Sequence, residues 1–331
     1  MMRPQAGAAS GDAPEIRAAV ELSDVDRAII RLLQGDGRMA AAQIARETGL
    51  TVRVVRRRLA DLQETGTIQI TTVADPLMLG YRSLAMVALT VDTSRPPSEL
   101  ARDLAGLDAT DYVVQVTGRY DILLEVVCRD VADLRSTLET RIAVTGGVRS
   151  VETYPYLRLH YQEPVWDVAR GRTGRTGVAP AVVPLDDVDR ALVRELSADG
   201  RAPFRDLARR AGISESQARA RVARLTSSGA VRVMAITKPR SLGFQMLAWL
   251  GIRAAPSVRI AELADRLTNV PSVAYLAITA GRFDLLVEVV CVDDQDLGRV
   301  LDDEIRTLDG VRDVEAFLVL DQHYERIRPL I

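Results

Sequence analysis

Along the first third of the chain, apolar residues recur at helical steps, and each run is bounded by a capping residue and a glycine. Val25, Ile29, Leu32 and Leu33 fall on one face of a helix that Ser23 or Asp24 can cap. Asp36-Gly37 ends it with turn chemistry. A second helix is predicted from about Ala40 to Thr48, with Ile44 and Ala45 inward and Gly49 as its stop. Thr51 then caps a third, with Val55, Leu59 and Leu62 on its inner face. Helix, glycine turn and capped helix form the helix-turn-helix signature. Gly66 leads on into Ile68 and Ile70, whose alternation reads as a strand or wing.

Beyond residue 83 the rhythm changes. Leu84 to Val91 alternates like a strand, Pro97 to Leu107 reads as a helix, and Tyr112 to Thr117 is a strand. Gly118-Arg119-Tyr120 makes a tight connection into a strand from Asp121 to Cys128. Val131 to Ile142 is helical, and a strand from Val148 to Leu159 closes the unit. This β-α-β-β-α-β order is the ferredoxin-like one. Its helices cover one face of the sheet only, so the other apolar face needs cover.

The whole pattern then returns. Leu22-Ser-Asp-Val-Asp-Arg-Ala reappears as Leu185-Asp-Asp-Val-Asp-Arg-Ala, Asp36-Gly-Arg38 as Asp199-Gly-Arg201, Gly118-Arg-Tyr-Asp121 as Gly281-Arg-Phe-Asp284, and His160-Tyr161 as His323-Tyr324, each 163 residues on. In the second copy the inward residues are Val188, Leu192 and Leu196, then Leu207 and Ala208 before Gly212. Ser214 caps its third helix, with Ala218, Val222 and Leu225 inward, and Gly229 leads into Val231 and Val233. Met246 to Leu320 repeats the ferredoxin-like order. Two long repeats, each able to hold its own core, differ from a solenoid of many short ones. The expected architecture is therefore α+β: a tail over 1–21, winged helix-turn-helix units at 22–82 and 185–245, ferredoxin-like domains at 83–161 and 246–331, and a linker at 162–184. That linker carries three Gly, three Pro and three Arg, the composition of a flexible tether. A second sheet of the same kind supplies the cover that the first one needs.

Composition changes this picture little. The 47% hydrophobic content is that of an ordinary folded protein. A net charge of −2 gives no global sign of nucleic acid, although a local basic patch can bind phosphate on a neutral protein. Lys238 is the sole lysine among the 43 basic residues. Cys128 and Cys291 occupy equivalent places inside apolar runs and read as small buried side chains, with no disulfide framework or metal spacing. No stretch reaches the roughly 20 apolar residues of a membrane span. Residues 1–20 contain acids and no apolar core of a signal peptide, so a cytoplasmic location is expected, with no cofactor.

Candidate chemistry concentrates on the third helix of each copy. Thr51, Arg53, Arg56, Arg57 and Arg58 in the first, and Ser214, Ser216, Gln217, Arg219, Arg221 and Arg224 in the second, are candidate contacts to double-stranded DNA. Cations suit phosphates, while forked and amide side chains suit base edges. A solvated arginine face is the bland alternative; its recurrence after a glycine turn and an N-cap favours DNA.

These residues resemble the Lrp/AsnC family of bacterial and archaeal regulators, in Leu22-Ser-Asp-Val-Asp-Arg27, Asp36-Gly-Arg38, Ala45 to Gly49, Gly66-Thr-Ile68, Leu79-Gly80 and Gly118-Arg-Tyr-Asp121, with their second-copy counterparts. The resemblance implies a winged helix-turn-helix joined to an effector-sensing domain that dimerises through its sheet. It further implies an amino acid or related metabolite as effector, and assembly of dimers into octamers or other rings. It places the effector site near Thr117, Gly118, Arg119, Tyr120 and Asp121, and near Ala280, Gly281, Arg282, Phe283 and Asp284. The residues themselves also allow these turns merely to shape a hairpin. The fused chain departs from the family pattern and should behave as a ready-made dimer, although two chains can instead exchange halves. Up to four chains would then imitate an octamer. Two rivals stand beside the regulator: an enzyme like the sirohaem decarboxylases of the same fold, and an effector-binding scaffold that no longer reads DNA. The sole histidines, His160 and His323, lie at the ends of the final strands, where a part in closing the sheet or an interface is expected.

Overall fold

Local capping sets the helices of both units. In the computed structural model, which describes residues 22–74, 76, 79–162, 185–237 and 242–324, the first copy runs α1 (Asp24–Gly35), α2 (Ala41–Thr48), α3 (Val52–Glu64) and β1 (Ile68–Ala74), then β2 (Ser83–Val91), α4 (Pro97–Ala105), β3 (Thr110–Val116), β4 (Ile122–Cys128), α5 (Val131–Thr137) and β5 (Val148–Gln162). The second repeats it as α6 (Asp187–Ala198), α7 (Phe204–Ala211), α8 (Glu215–Ser227), β6 (Val231–Thr237), β7 (Met246–Ala254), α9 (Ile260–Leu267), β8 (Val273–Thr279), β9 (Leu285–Cys291), α10 (Asp294–Arg299) and β10 (Val311–Tyr324). Ser23 and Asp186 cap α1 and α6 with reciprocal capping boxes to Asp26 and Asp189. The helix predicted over Val131 to Ile142 is α5 continued by a π-helical turn, Leu138–Ile142. The expected tail and nearly all of the expected linker lie outside the described residues, as does Lys238.

Each ferredoxin-like sheet has helices on one face, as its pattern requires. In β2, Ala85, Val87 and Leu89 pack toward α4 and α5, while Met86 and Ala88 turn to the opposing sheet. Both faces are thus apolar. The two sheets do more than stack face to face. They join at both edges into a closed barrel of order β10-β3-β4-β2-β5-β8-β9-β7. The long last strands make the joins: β5 pairs with β2 through Pro155 and with β8 from Tyr156 onward. Likewise β10 pairs with β7 through Leu318 and with β3 from Val319. Closure removes the free edges of these two sheets, which is the physical reason for strands of 15 and 14 residues.

The expected wings form differently from two separate hairpins. A lone seven-residue strand leaves its backbone groups unpaired, and here β1 and β6 satisfy each other as an antiparallel ribbon from Ile68↔Thr237 to Ala74↔Val231. Thr71 faces Met234, its own equivalent 163 residues on, so the pseudo-twofold axis relating the copies passes through this pair. The ribbon also carries each core across the axis. Val233 and Ala235 complete the core of the first helix-turn-helix beside Ile29, Leu33 and Val55. The second unit packs Val193 and Leu225 against Leu84 and Val127 of the first sensing domain. Both halves of the pseudo-dimer therefore come from one chain. No helix among the described residues is long and apolar enough to cross a membrane.

Candidate DNA-binding helices and sensing turns

Gly49 (φ 71°) and Gly212 (φ 67°) end α2 and α7 in the left-handed region, turning the chain into the N-caps of α3 and α8. Thr51 Oγ1 accepts from Val54 N–H at 3.3 Å, and Ser214 Oγ accepts from Gln217 N–H at 3.3 Å. Gln217 completes a capping box by accepting Ser214 N–H at 2.9 Å, so its amide is engaged at the cap. Val55, Leu59 and Leu62 in α3, and Ala218, Val222 and Leu225 in α8, are buried. The opposite, exposed stripes read Arg53, Arg56, Arg57, Ala60 in the first unit and Ser216, Arg219, Ala220, Ala223 in the second.

The arginines expected at DNA divide into two groups. Arg53, Arg56 and Arg57 make no ion pair among the described residues. The remainder are engaged within the fold. Arg58 lies 3.7 Å from Asp26. Arg221 holds Asp186 at 2.6 Å and Asp189 at 2.9 Å, and Arg224 holds Asp189 at 2.5 Å. Since Asp189 is only 1% exposed, drawing these guanidiniums away would strand a buried carboxylate. Arg221 and Arg224, both candidate DNA contacts, thus brace α8 against the N-terminus of α6. Arg219 pairs with Glu215 at 2.6 Å and lies over the Phe204 ring, 4.4 Å from its centroid. An exposed pair such as Arg219–Glu215 contributes under about 1 kcal/mol and opens readily.

The repeated Asp-Gly-Arg turns do more than end a helix. Asp36 and Asp199 accept from the Arg38 and Arg201 N–H groups at 2.9 and 2.8 Å, as turn chemistry predicts. The arginine side chains then cross the pseudo-twofold. Arg38 donates to the carbonyls of Gly200 (2.6 Å) and Ala202 (3.0 Å), and Arg201 donates to those of Gly37 (2.9 Å) and Met39 (3.0 Å). Gly37 N–H donates to Val233 O and Gly200 N–H to Ile70 O, docking both turns on the ribbon. A Cβ on Gly37 would stand 2.8 Å from the Met234 backbone. Burial lowers the pKa of both arginines from the usual guanidinium value. Repetition of the full tripeptide, where a turn alone needs only Asp-Gly, was the available sequence signal.

The sensing turns meet at one end of the barrel. Gly118 (φ 111°) and Gly281 (φ 135°) make the turns, and Asp121 and Asp284 accept Val91 and Ala254 N–H, each at 2.8 Å. The hairpin-shaping role of these residues is therefore present. Thr117 N–H and Ala280 N–H bind Leu318 O and Pro155 O, on the last strand of the opposite copy. Arg119 and Arg282 both approach Glu315, at 3.0 and 3.6 Å. Tyr120 and Phe283 are buried in a four-ring cluster with Tyr154 and Phe317, with centroids 5.3–6.5 Å apart. The Tyr120 hydroxyl donates to Glu152 and shares a hydrogen bond with Tyr154, both at 2.5 Å; burial and Glu152 push its pKa up to about 12.

Sequence reasoning missed one constellation between the sheets. Tyr112 donates to Glu288 at 2.6 Å, and its equivalent Tyr275 donates to Glu125 at 2.5 Å. Trp249 Nε1–H donates to the Tyr112 hydroxyl at 3.2 Å. Burial raises the Glu288 carboxyl to about 7 and raises Glu125 as well, the latter aided by the Glu288 charge. The signal was a glutamate breaking the same apolar run twice, in Leu-Leu-Glu-Val-Val-Cys128 and Leu-Val-Glu-Val-Val-Cys291. Elsewhere, His160 Nε2 lies 2.9 Å from Asp265 of α9, an inter-copy contact. Cys128 and Cys291 are buried, which pushes their thiols up to about 11 and 12.

The matches to known proteins cover both copies. The winged helix-turn-helix DNA-binding family model matches residues 22–69 and the AsnC-type helix-turn-helix model matches 185–226. The Lrp/AsnC ligand binding domain matches twice, at 84–166 and 247–329. Among curated relatives, the HTH-type transcriptional regulator Ptr1 of Methanocaldococcus jannaschii is 34% identical over 137 residues, which is 41% of this chain and 92% of that protein. The HTH-type transcriptional regulator FL11 of Pyrococcus horikoshii is 31% identical over 144 residues, 43% of this chain and 94% of its own length. Each relative thus corresponds in length to one copy. Among solved structures, the sirohaem decarboxylase NirDL superposes over 93% of this chain and 95% of its own, with a TM-score of 0.64 at 16% identity. That likeness concerns the fold of the whole two-copy chain.

Proposed function

The chain belongs to the Lrp/AsnC family and is a DNA-binding transcriptional regulator, and from that premise we propose that it reads an asymmetric operator under the control of an amino acid or related metabolite. The carrying observation is the pair of unlike exposed stripes, Arg53-Arg56-Arg57-Ala60 against Ser216-Arg219-Ala220-Ala223, on two units clasped about one pseudo-twofold axis. A homodimer presents the same stripe twice and prefers a palindrome; this chain presents two. Base specificity follows those side chains, so the half-sites differ. Selection of bound sequences from random DNA with the full-length protein should recover two unlike half-sites. A palindromic motif would overturn the proposal.

The sensing turns are the proposed effector region, because they bring charged side chains from both copies, Arg119, Arg282 and Glu315, together at the barrel surface. Tyr120 and Phe283 differ by a hydroxyl and support unequal affinities around the two turns. Titration calorimetry with free amino acids tests this, and two identical sites per chain would count against it. Association of these single-chain pseudo-dimers, up to four together, is the proposed assembly in the cytoplasm, to be read by sedimentation. A decarboxylase-like reading has the NirDL fold likeness in its favour, but His160 is buried and engaged by Asp265 rather than presented to a substrate. An absorbance titration with a tetrapyrrole, expected to show no binding, separates the two.

A further inference from the structure

By residue count the second helix-turn-helix is the more basic. Helices α7 and α8 carry six arginines against two acids, whereas α2 and α3 carry five against three. Pairing reverses that ranking. All six guanidiniums of α7 and α8 have an acidic partner: Arg205 and Arg209 with Asp206, Arg210 with Glu195, and the three of α8 as described. In the first unit Arg46, Arg53, Arg56 and Arg57 make no ion pair among the described residues.

One contact sharpens the difference. Phe204 is contacted over its ring by two guanidiniums, Arg38 of the first copy and Arg219 of the second, each 4.4 Å from its centroid. Arg38 is itself fixed by two carbonyls of the second copy. Glu215 pairs with the same Arg219 at 2.6 Å. The first copy has Ala41 where the second has Phe204, so Arg56, the counterpart of Arg219, lacks such a platform. An aromatic ring attracts a guanidinium over its face and limits the orientations open to it. The small neighbours Ala220 and Ala223 leave room for close approach of a groove wall to α8.

We propose that the two units divide DNA recognition: α3 is the electrostatic anchor through Arg53, Arg56 and Arg57, while α8 contributes little net charge and reads bases through Arg219, with Phe204 as its positioning residue. This rests on the regulator reading above. Guanidiniums that neutralise phosphates displace cations condensed on the DNA, which makes affinity fall steeply with salt. A guanidinium that contacts a base edge neutralises no phosphate and releases little, and the exposed Arg219–Glu215 pair is weak enough to open for such a contact. Over the Phe204 ring, Arg219 is pre-oriented for a bidentate contact to a base edge.

The test uses the full-length chain, a random-sequence duplex and the operator recovered by selection, at several salt concentrations. On the random duplex, the combined substitution Arg53→Gln, Arg56→Gln and Arg57→Gln should reduce the slope of log affinity against log salt by about 2.7, at about 0.9 per phosphate contact. Arg219→Gln should leave that slope nearly unchanged, yet relax base preference in the second half-site at least ten-fold. Phe204→Ala should reproduce the relaxation without changing the slope, and Phe204→Tyr, which keeps the ring, should restore preference. Arg219→Gln flattening the slope as much as Arg56→Gln would overturn the division while leaving the regulator reading intact. So would a triple variant with the slope of the unsubstituted chain. Absence of any salt-dependent binding by the unsubstituted chain would overturn both.

Discussion

The glutamates between the two sheets make the stability of the pseudo-dimer depend on pH in a calculable direction. Glu288 accepts the Tyr112 hydroxyl, and around the pair stand Trp249, Glu125, Tyr275 and Tyr156. No cation is among the groups acting on either carboxyl, so burial outweighs the hydrogen bond and moves Glu288 from 4.5 to about 7. Below pH 4.5 the acid is protonated in folded and unfolded chains alike and costs nothing. Between 4.5 and 7 the folded chain keeps a proton that the unfolded chain has released. Stability therefore falls as pH rises, by about 1.4 kcal/mol per pH unit for one group. Above about 7 it levels off, some 3 kcal/mol lower on account of Glu288 alone. Glu125 adds to this, its ionisation being opposed by the Glu288 charge.

Glu288→Gln removes the titration yet keeps a carbonyl oxygen for Tyr112. Denaturant unfolding at pH 5, 6, 7 and 8 can be followed by Trp249 emission, in a Trp166→Phe background that leaves one tryptophan. Near pH 5 the variant and its parent should be nearly equal. At pH 8 the variant should be the more stable by about 3 kcal/mol. Curves that run parallel across this range would refute the assignment, since an ordinary solvent-facing carboxyl finishes titrating below pH 6.

Five other substitutions probe the turns of the two copies and the contacts between them. Gly37→Ala places a Cβ 2.8 Å from the Met234 backbone, which cannot rotate aside, and should cost about 1–3 kcal/mol in denaturant melts; Gly49→Ala, open on all sides but at φ 71°, separates crowding from backbone strain. Arg201→Ala loses two hydrogen bonds to carbonyls across the axis and should cost about 2 kcal/mol, whereas Arg38→Ala also loses the Phe204 contact and should cost about 1 kcal/mol more. Equal costs for the two arginines would remove the stack from the account. Tyr120→Phe, which makes the first turn like the second, should cost about 1 kcal/mol and bring the two effector affinities together in calorimetry.

Local rules carried the helices well. Ser23, Thr51 and Ser214 cap where the pattern placed them, and Gly49 and Gly212 stop the helices before the recognition helices. The strand order of the sensing domains was legible for the same reason, because turns and periods are local. The partners were not. An unpaired strand at Ile68 announces that it needs a ladder, but nothing nearby says that the ladder is Val231–Thr237. Helical spacing leaves Arg221 and Arg224 at the border of the inward face, and only packing of α6 against α8 decides that they meet Asp189. In the sensing turns, period and glycine predicted a hairpin, whereas burial of Tyr120 and Phe283 follows from the second sheet.

Fusion explains where the copies agree and where they part. In a homodimer each substitution enters twice, so any change at the axis must suit itself. In one chain it enters once. A contact made reciprocally across the axis then loses one of its two instances when a single copy changes, as Arg38 with Arg201 and Tyr112–Glu288 with Tyr275–Glu125 illustrate. These pairs are the same residue types in both copies. The exposed stripes differ instead: Arg53 stands in the first copy where the second has Ser216, and Arg57 where it has Ala220. Phe204 against Ala41 sits between the regimes: it binds across the axis through Arg38 and reaches the recognition helix through Arg219. A ring there lets the shared clasp hold one reader still while leaving the other free, an asymmetry that two identical chains cannot build.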